Sequence, residues 1–154
     1  MQDWAQTMRS RHFPAERNVV PAHITLFHAL PADNLDVICS FLTSPRRAPF
    51  VRIEAPFLLG RGVAYRVVSP EMQEMRATLA ARISQERFTA QDRAPWRPHL
   101  TIQNKVSPQQ ARELLESLSR GHKDRQTSAA ALRLWRYLGG PWELLSRSPF
   151  TYTD

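Results

Sequence analysis

The sequence contains little glycine: only 5 of its 154 residues are Gly, whereas 12 are Pro. It carries neither the glycine-rich loop of P-loop nucleotide-binding proteins nor the Gly-x-Gly-x-x-Gly fingerprint of dinucleotide-binding folds. The many prolines predict short elements separated by rigid turns. These absences exclude two common classes of nucleotide-binding protein.

Cysteine is almost absent as well. Cys39 is the only one, so no disulfide can form within the chain, and a reducing, cytosolic setting fits best. It lies in the apolar run 37–42, which is typical of the buried face of a helix. No stretch approaches the ~20 apolar residues of a membrane span, and the first residues lack the apolar region of a signal peptide. We therefore expect a cytoplasmic protein without a membrane partner.

Acidic residues are also scarce: the chain has 14 Asp and Glu residues and 21 Lys and Arg residues, which gives a formal net charge of +7. The excess predicts an anionic partner such as a nucleic acid, a nucleotide or a phosphate, and its sign does not choose among them. A solvated basic surface without a ligand has the same composition. Apolar residues make up 42% of the chain, and the length suits one domain over residues 1–154.

The order of predicted elements favours an α+β fold with mostly antiparallel sheet. Helical spacing begins at Trp4 and stops at Pro14, and the Ser-Pro pairs at 69–70 and 107–108 are typical helix starts. A further helix is predicted at residues 34–43, and strands are predicted at residues 19–27, 50–59, 63–68, 99–105, 130–138 and 142–147. Residues 122–128 have the polar character of a loop, and the tail beyond Pro149 is expected to be mobile. Strands and helices do not alternate as they do in a doubly wound fold.

Two segments, about half the chain length apart, share one pattern. Each reads His, apolar, Thr, apolar and closely follows a proline: residues 23–26 are His-Ile-Thr-Leu, and residues 99–102 are His-Leu-Thr-Ile. From average composition a His is followed in this way roughly 1% of the time, so two matches are on the order of a one-in-a-thousand coincidence. The repetition indicates an internal duplication of the chain.

The pattern has a clear meaning in a β-strand, where successive side chains point to opposite faces. His23 and Thr25 then share one polar face, and His99 and Thr101 share another. If the two strands lie side by side or are related by a twofold axis, two imidazoles and two hydroxyls converge on one site. One His can take a proton from a nucleophile, the other can give one to a leaving oxygen, and the hydroxyls can hold phosphoryl oxygens. This set of groups suits phosphodiester chemistry near neutral pH.

Two other interpretations of the histidines stay open. A single His on a strand is more often a hydrogen-bonded packing residue than a catalyst. A metal site is the second alternative, although no Cys or carboxylate lies at ligand spacing beside either motif, so we expect neither a metal nor a cofactor. The other histidines, His12, His28 and His122, are expected to be surface or structural residues. The pairing of the motifs favours the catalytic interpretation.

At these residues the sequence resembles the 2H phosphoesterase superfamily, and within it the 2′-5′ RNA ligase-like group, whose signature is a paired His-x-Thr-x motif. The resemblance implies a bilobal α+β fold with two antiparallel sheets around a central cleft, helices on the outer faces and a pseudo-twofold duplication. It also implies metal-independent chemistry on 2′,3′-cyclic phosphates or 2′-5′ linkages of nucleotides or RNA. We expect the protein to be a monomer. Similar proteins open with an apolar strand, whereas this chain starts almost within a helix. Either the natural chain begins earlier or one lobe lacks a strand.

Carried over by position, the resemblance assigns the general acid and base to His23 and His99 and the phosphate ligands to Thr25 and Thr101. Other residues near the motifs are candidates for substrate contacts: Arg61, Arg97 and Lys105 for a phosphate, and Trp96 and Phe27 for a base. The predicted activity is hydrolysis of 2′,3′-cyclic phosphates, and the same groups can run 2′-5′ ligation in reverse. The alternative is a non-catalytic RNA- or nucleotide-binding module on the same fold.

Overall fold

A computed structural model describes residues 2–152 and confirms an α+β fold built on antiparallel sheets. The helices are α1 (Gln2–His12), α2 (Leu35–Thr43), α3 (Pro70–Ala80), α4 (Ala90–Arg93) and α5 (Pro108–Ser119). The strands are β1 (Phe50–Leu59), β2 (Gly62–Val68), β3 (His99–Gln103), β4 (Arg125–Ser128), β5 (Ala131–Tyr137) and β6 (Trp142–Pro149). None of the helices within the described residues combines the length and apolar character that crossing a bilayer requires.

The strands form two sheets of unequal size. The larger has four antiparallel strands in the order β3-β2-β1-β4, and the smaller is the hairpin β5-β6. The predicted hairpin of β1 and β2 is confirmed, and its turn requires glycine at two positions. Gly60 has a left-handed φ of 54°, and a Cβ on Gly62 would lie 1.9 Å from the carbonyl oxygen of Gln103. The turn therefore also fixes how closely β3 approaches β2.

Both predicted Ser-Pro helix starts are confirmed. The Ser69 hydroxyl accepts a hydrogen bond from the Met72 backbone N–H at the start of α3. Ser107 begins α5 with a complete capping box, because its hydroxyl accepts from the Gln110 N–H while the Gln110 side chain accepts from the Ser107 N–H. Each proline occupies a first-turn position, where a backbone N–H has no partner within the helix.

Two groups of buried side chains decide which face of each strand is free. The first lies between the large sheet and the helices α1 and α5, and it includes Leu100 and Ile102 of β3. The second gathers side chains of α2 and α3, and Leu132 and Leu134 of β5 pack against it. Because side chains alternate along a strand, the other residues of β3 and β5 point away from these cores.

The strand predicted at residues 19–27 is wrong. Only Ile24 in this segment makes a β-bridge within the described residues. Pro21 has no N–H to donate, and the backbone groups of Val20, Ala22 and Thr25 are bound by side chains instead of a neighbouring strand. The segment is extended without belonging to a sheet.

Two predictions for the C-terminal part of the chain also need correction. The loop predicted at residues 122–128 contains β4, an edge strand that pairs with β1 and whose polar, partly exposed residues hid its strand character. The tail beyond Pro149 is anchored, since Phe150 is buried in the second core and the Thr151 N–H donates to the carbonyl of Arg46 at 2.9 Å. Residues 153–154 of that predicted tail lie outside the described residues.

Cys39 is exposed, so the prediction that it is buried is wrong. The buried side chains of α2 are Ile38, Phe41 and Leu42, which follow the i, i+3, i+4 spacing of one helix face. Cys39 lies one residue beyond Ile38, and about 100° of rotation per residue carries it off that face.

Candidate functional site

The two His-x-Thr segments meet through one antiparallel bridge, which pairs Ile24 with Leu100. Flanking residues in such a bridge pair in reverse order, so His23 lies opposite Thr101 and Thr25 lies opposite His99. Directly opposite residues have Cβ atoms about 4.5–5.5 Å apart. Ile24 and Leu100 pack into the first core, so the four polar side chains share the opposite face. The structure therefore brings the two predicted His-Thr pairs together.

Both imidazoles are oriented by the same local hydrogen bond. Nδ1 of His23 lies 2.7 Å from the carbonyl oxygen of Pro21, and Nδ1 of His99 lies 2.8 Å from that of Arg97. A carbonyl oxygen only accepts, so each Nδ1 carries the proton. In the neutral ring Nε2 then holds the lone pair, and it is the atom free to exchange a proton with a ligand.

The environment of His23 favours its neutral form. The pKa of His23 lies below the ordinary value of 6.5, chiefly because burial disfavours the charged ring. The positive charges of Arg9, His99 and Arg133 lower this pKa further, and the hydrogen bond to Pro21 opposes them. His23 nevertheless keeps exposed surface, so it is both surrounded by protein and open to solvent.

Arg9 of α1 anchors both segments from behind. Its guanidinium donates to the carbonyls of Thr101 at 2.8 Å and Val20 at 3.1 Å, and to the side-chain oxygen of Asn18 at 3.1 Å. The residue is only 3% exposed, and the ring of Phe13 lies against it. These oxygen partners are all neutral, and although burial lowers the pKa of Arg9, a guanidinium stays charged in proteins. Arg9 therefore places a buried positive charge next to His23.

Other side chains hold the far end of the first segment. The Trp96 indole N–H donates to the carbonyl of Thr25 at 2.9 Å, and Nε of Arg76 donates to that of Leu26 at 2.8 Å. Phe27 stacks on Phe88 with ring centroids 5.5 Å apart. The two rings predicted as candidates for stacking on a base are thus engaged in contacts within the protein.

Asp92 completes this support. It is buried, and its carboxylate accepts hydrogen bonds from the backbone N–H groups of His28 and Ala29 and from the His28 ring. Desolvation opposes ionisation, but these hydrogen bonds outweigh it and hold the pKa of Asp92 below its ordinary value. His28 therefore has the structural role expected from the sequence.

Arg66 lies beside His99 and was not predicted from the sequence. It is the cross-strand partner of His99 in the pairing of β2 with β3, so both side chains share one face. The Phe57 ring is a neighbour of both, since its centroid lies 6.4 Å from the His99 ring centroid and 5.6 Å from the Arg66 guanidinium carbon. One signal was available in the sequence, because Arg66 is the single charged residue in β2.

Two cations that the sequence predicts as phosphate ligands, Arg97 and Arg61, lie at different distances from the motifs. Arg97 is exposed and contributes its carbonyl to the His99 ring. Arg61 is exposed in the turn before β2. It lies three residues, or about 10 Å along a strand, from Ala64, which pairs with Thr101. Arg133 of β5, which the sequence did not single out, is close enough for its charge to act on His23.

A cavity of about 510 Å³ lies elsewhere, between α1, the large sheet and the end of α5. Its lining includes the rings of Tyr65 and His122, 5.9 Å apart, and Arg125, whose guanidinium lies 4.5 Å from the Trp4 ring centroid. Tyr65 belongs to the core face of the sheet, so this cavity is on the side opposite the motif side chains. In residues 2–152, no three His, Cys, Asp or Glu side chains form a group that could hold a metal ion.

Comparison with family models places the two motifs within a known family. A family model described as the 2′-5′ RNA ligase superfamily matches residues 1–141, a span that contains both motifs and all five helices described above. No protein of curated function matches the chain.

Proposed function

The chain belongs to the 2′-5′ RNA ligase superfamily, and on that premise we propose that it is a phosphodiesterase that opens the 2′,3′-cyclic phosphates of nucleotides or RNA ends without a metal ion. The observation that supports this proposal most strongly is the Ile24–Leu100 bridge, which sets the two His-Thr pairs side by side. A single structural histidine would not need a second one in the same orientation on the facing segment.

His23 is the general base in the proposed ring opening. Its lowered pKa keeps Nε2 free of a proton near neutral pH, so this atom can take a proton from the attacking water. The water oxygen forms a bond to phosphorus, and the bond from phosphorus to one ribose oxygen breaks. Nε2 of His99, protonated at the start of the reaction, gives its proton to that leaving oxygen. One proton has then passed from water to His23 and another from His99 to the ribose oxygen, and the product is a ribose phosphate monoester.

The hydroxyls of Thr25 and Thr101 hold the two non-bridging phosphoryl oxygens. The described residues provide neither hydroxyl with a hydrogen-bond partner, so both can donate to a ligand. The phosphoryl group carries negative charge that grows as the fifth bond to phosphorus forms. Arg9 behind the segments and Arg66 beside His99 supply positive potential there. His23 is both surrounded and accessible, which is consistent with a depression that receives the phosphate.

The same groups can catalyse 2′-5′ ligation when the 5′-hydroxyl of a second RNA end attacks the cyclic phosphate in the place of water. His23 would then remove the proton from that hydroxyl, and His99 would protonate the ribose oxygen that leaves phosphorus. Cleavage of the 2′-5′ linkage reverses both proton transfers, as microscopic reversibility requires. A non-catalytic RNA-binding module is the alternative function, and the net charge of +7 fits it equally well.

A substrate assay separates these functions. The protein is incubated in EDTA with 2′,3′-cyclic nucleotides and with RNA that ends in a 2′,3′-cyclic phosphate, and ring opening is followed by chromatography. We expect a monophosphate product, and we expect EDTA to leave the rate unchanged. Salt-sensitive RNA binding without turnover of any substrate would instead support the binding module, and strict dependence on a divalent ion would support a metal mechanism.

A further inference from the structure

The tip of the β5-β6 hairpin carries an unusual amount of exposed aromatic surface. Tyr137 is 58% exposed and Trp142 is 42% exposed, and their ring centroids lie 4.8 Å apart. Leu138, Leu144 and Leu145 around them are also exposed. Large apolar side chains that cluster on a surface usually mark a binding site.

Strand register shows which residues share a face with these rings. Three cross-strand pairs lie on the face that points away from the second core: Arg133 with Arg147, Trp135 with Leu144, and Tyr137 with Trp142. The opposite face holds Leu132 and Leu134, which pack into the core. We call the first set of six residues the hairpin surface.

One end of the hairpin surface lies near the candidate site. Arg133, at its near end, is close enough to His23 for its charge to affect the imidazole. Tyr137 is four residues farther along the same strand, which is about 13 Å. The surface therefore runs from Arg133 and its cross-strand partner Arg147 to two neighbouring, mutually tilted aromatic rings at the hairpin tip.

We propose that the hairpin surface binds single-stranded RNA next to the reacting phosphate, so that the preferred substrate is an RNA end and not a free cyclic nucleotide. This inference rests on the proposed function and names its substrate class. Arginines can pair with backbone phosphates, and exposed rings can stack on bases, which is the combination that binds single strands without sequence preference. The one carboxylate on the hairpin, Glu143, lies on the other face and pairs with Arg136.

The chemistry of the surface also argues against a protein or lipid occupant. Its two arginines are cross-strand neighbours and repel each other, and the described residues show no carboxylate partner for either one. Such a pair is stabilised by an anion that spans both side chains. The chain as a whole carries a net charge of +7, which favours a polyanion as that ligand.

The test compares two substrates in one set of variants. For each protein, kcat/KM is measured on a 2′,3′-cyclic mononucleotide and on a short RNA with a 2′,3′-cyclic phosphate end. In the double variant Tyr137→Ala, Trp142→Ala we expect the ratio of the RNA value to the mononucleotide value to fall at least about tenfold. The double variant Tyr137→Phe, Trp142→Phe keeps both stacking rings and should keep the ratio. An unchanged ratio in the alanine variant would overturn the proposal.

A second pair of variants tests the arginines. Arg147→Gln should reduce the salt dependence of RNA binding, with the slope of log K against log salt falling by about 1. Arg112→Gln removes the same charge from the exposed side of α5 and should leave that slope unchanged. Equal slopes for the two variants would contradict a phosphate contact at the hairpin.

Failure of the proposed function can be separated from failure of this inference. If the unmodified protein opens neither substrate, the proposed chemistry is wrong, and binding is then measured by fluorescence anisotropy with a labelled single-stranded RNA. The hairpin proposal predicts an affinity at least about tenfold weaker for the alanine double variant than for the phenylalanine one. Equal affinities would reject the hairpin surface as an RNA site.

Discussion

The two His-x-Thr segments have the same pattern of side chains and are held in place by different means. β3 is a regular strand whose backbone pairs with β2, so its position depends on groups that every residue possesses. Residues 20–29 form one bridge to β3 and are otherwise fixed by side chains of Gln6, Arg9, Arg76, Asp92 and Trp96. Backbone pairing persists when side chains are replaced, whereas a segment held by the side chains of other elements loses its support when one of them is replaced. The comparison therefore predicts equal roles in chemistry and unequal sensitivity to mutation.

The largest effect tests the equality of roles. The single variants His23→Ala and His99→Ala should each have a kcat on a cyclic phosphate that is at least about 100-fold lower, because each variant lacks one of the two proton transfers. Substrate affinity should change much less. His122→Ala provides the control, since His122 lines the cavity on the opposite side of the large sheet. Full activity in either motif variant would refute the paired mechanism.

The second effect tests the anchor that the two segments share. Arg9→Gln removes the hydrogen bonds to Val20 and Thr101 and leaves two partly buried carbonyls without these partners, which should cost about 2–4 kcal/mol of stability. Urea unfolding measures the loss, and Arg11→Gln on the exposed side of the same helix should cost less than about 0.5 kcal/mol. Equal midpoints for the two variants would show that Arg9 anchors neither segment.

A smaller effect distinguishes the segments directly. Trp96→Phe keeps an aromatic ring but removes the indole N–H that binds the carbonyl of Thr25, a loss of about 1 kcal/mol. Amide hydrogen exchange should become faster in residues 22–29 and stay unchanged in β3. Trp142→Phe at the exposed hairpin tip is the matched control. Uniform acceleration across both segments would contradict separate means of support.

Sequence reasoning predicted those parts of the candidate site whose arrangement depends on local pattern. Alternation along a strand placed each His and Thr on one face, and the Ser-Pro pairs located α3 and α5. It missed Arg9, Arg66 and Arg133, because their proximity to the motifs depends on how distant elements pack. It also predicted a strand at residues 19–27, where the apolar pattern is right but the backbone partners are side chains from other elements. Tertiary contacts of this kind leave no periodic signal.

The smallest effect concerns pH. Since the pKa of His23 is lowered, the acid limb of kcat/KM should lie below the ordinary His value near 6.5, and Arg133→Gln should move it to higher pH by removing a nearby positive charge. Arg112→Gln should leave the limb in place. The folded protein binds the His23 proton more weakly than the unfolded chain, so this group's contribution to stability is complete above about pH 6.5 and decreases below it. A limb that does not respond to Arg133 would exclude His23 as the titrating base.

The central claim is that segments with such different support converge on one phosphate. A crystal structure with a bound nucleoside monophosphate product tests it most directly. We predict that Nε2 of His23 and Nε2 of His99 each lie about 2.7–3.2 Å from oxygens of the same phosphate, with the two nitrogens roughly 5–7 Å apart. A separation above about 12 Å, or a phosphate bound away from both rings, would contradict the account.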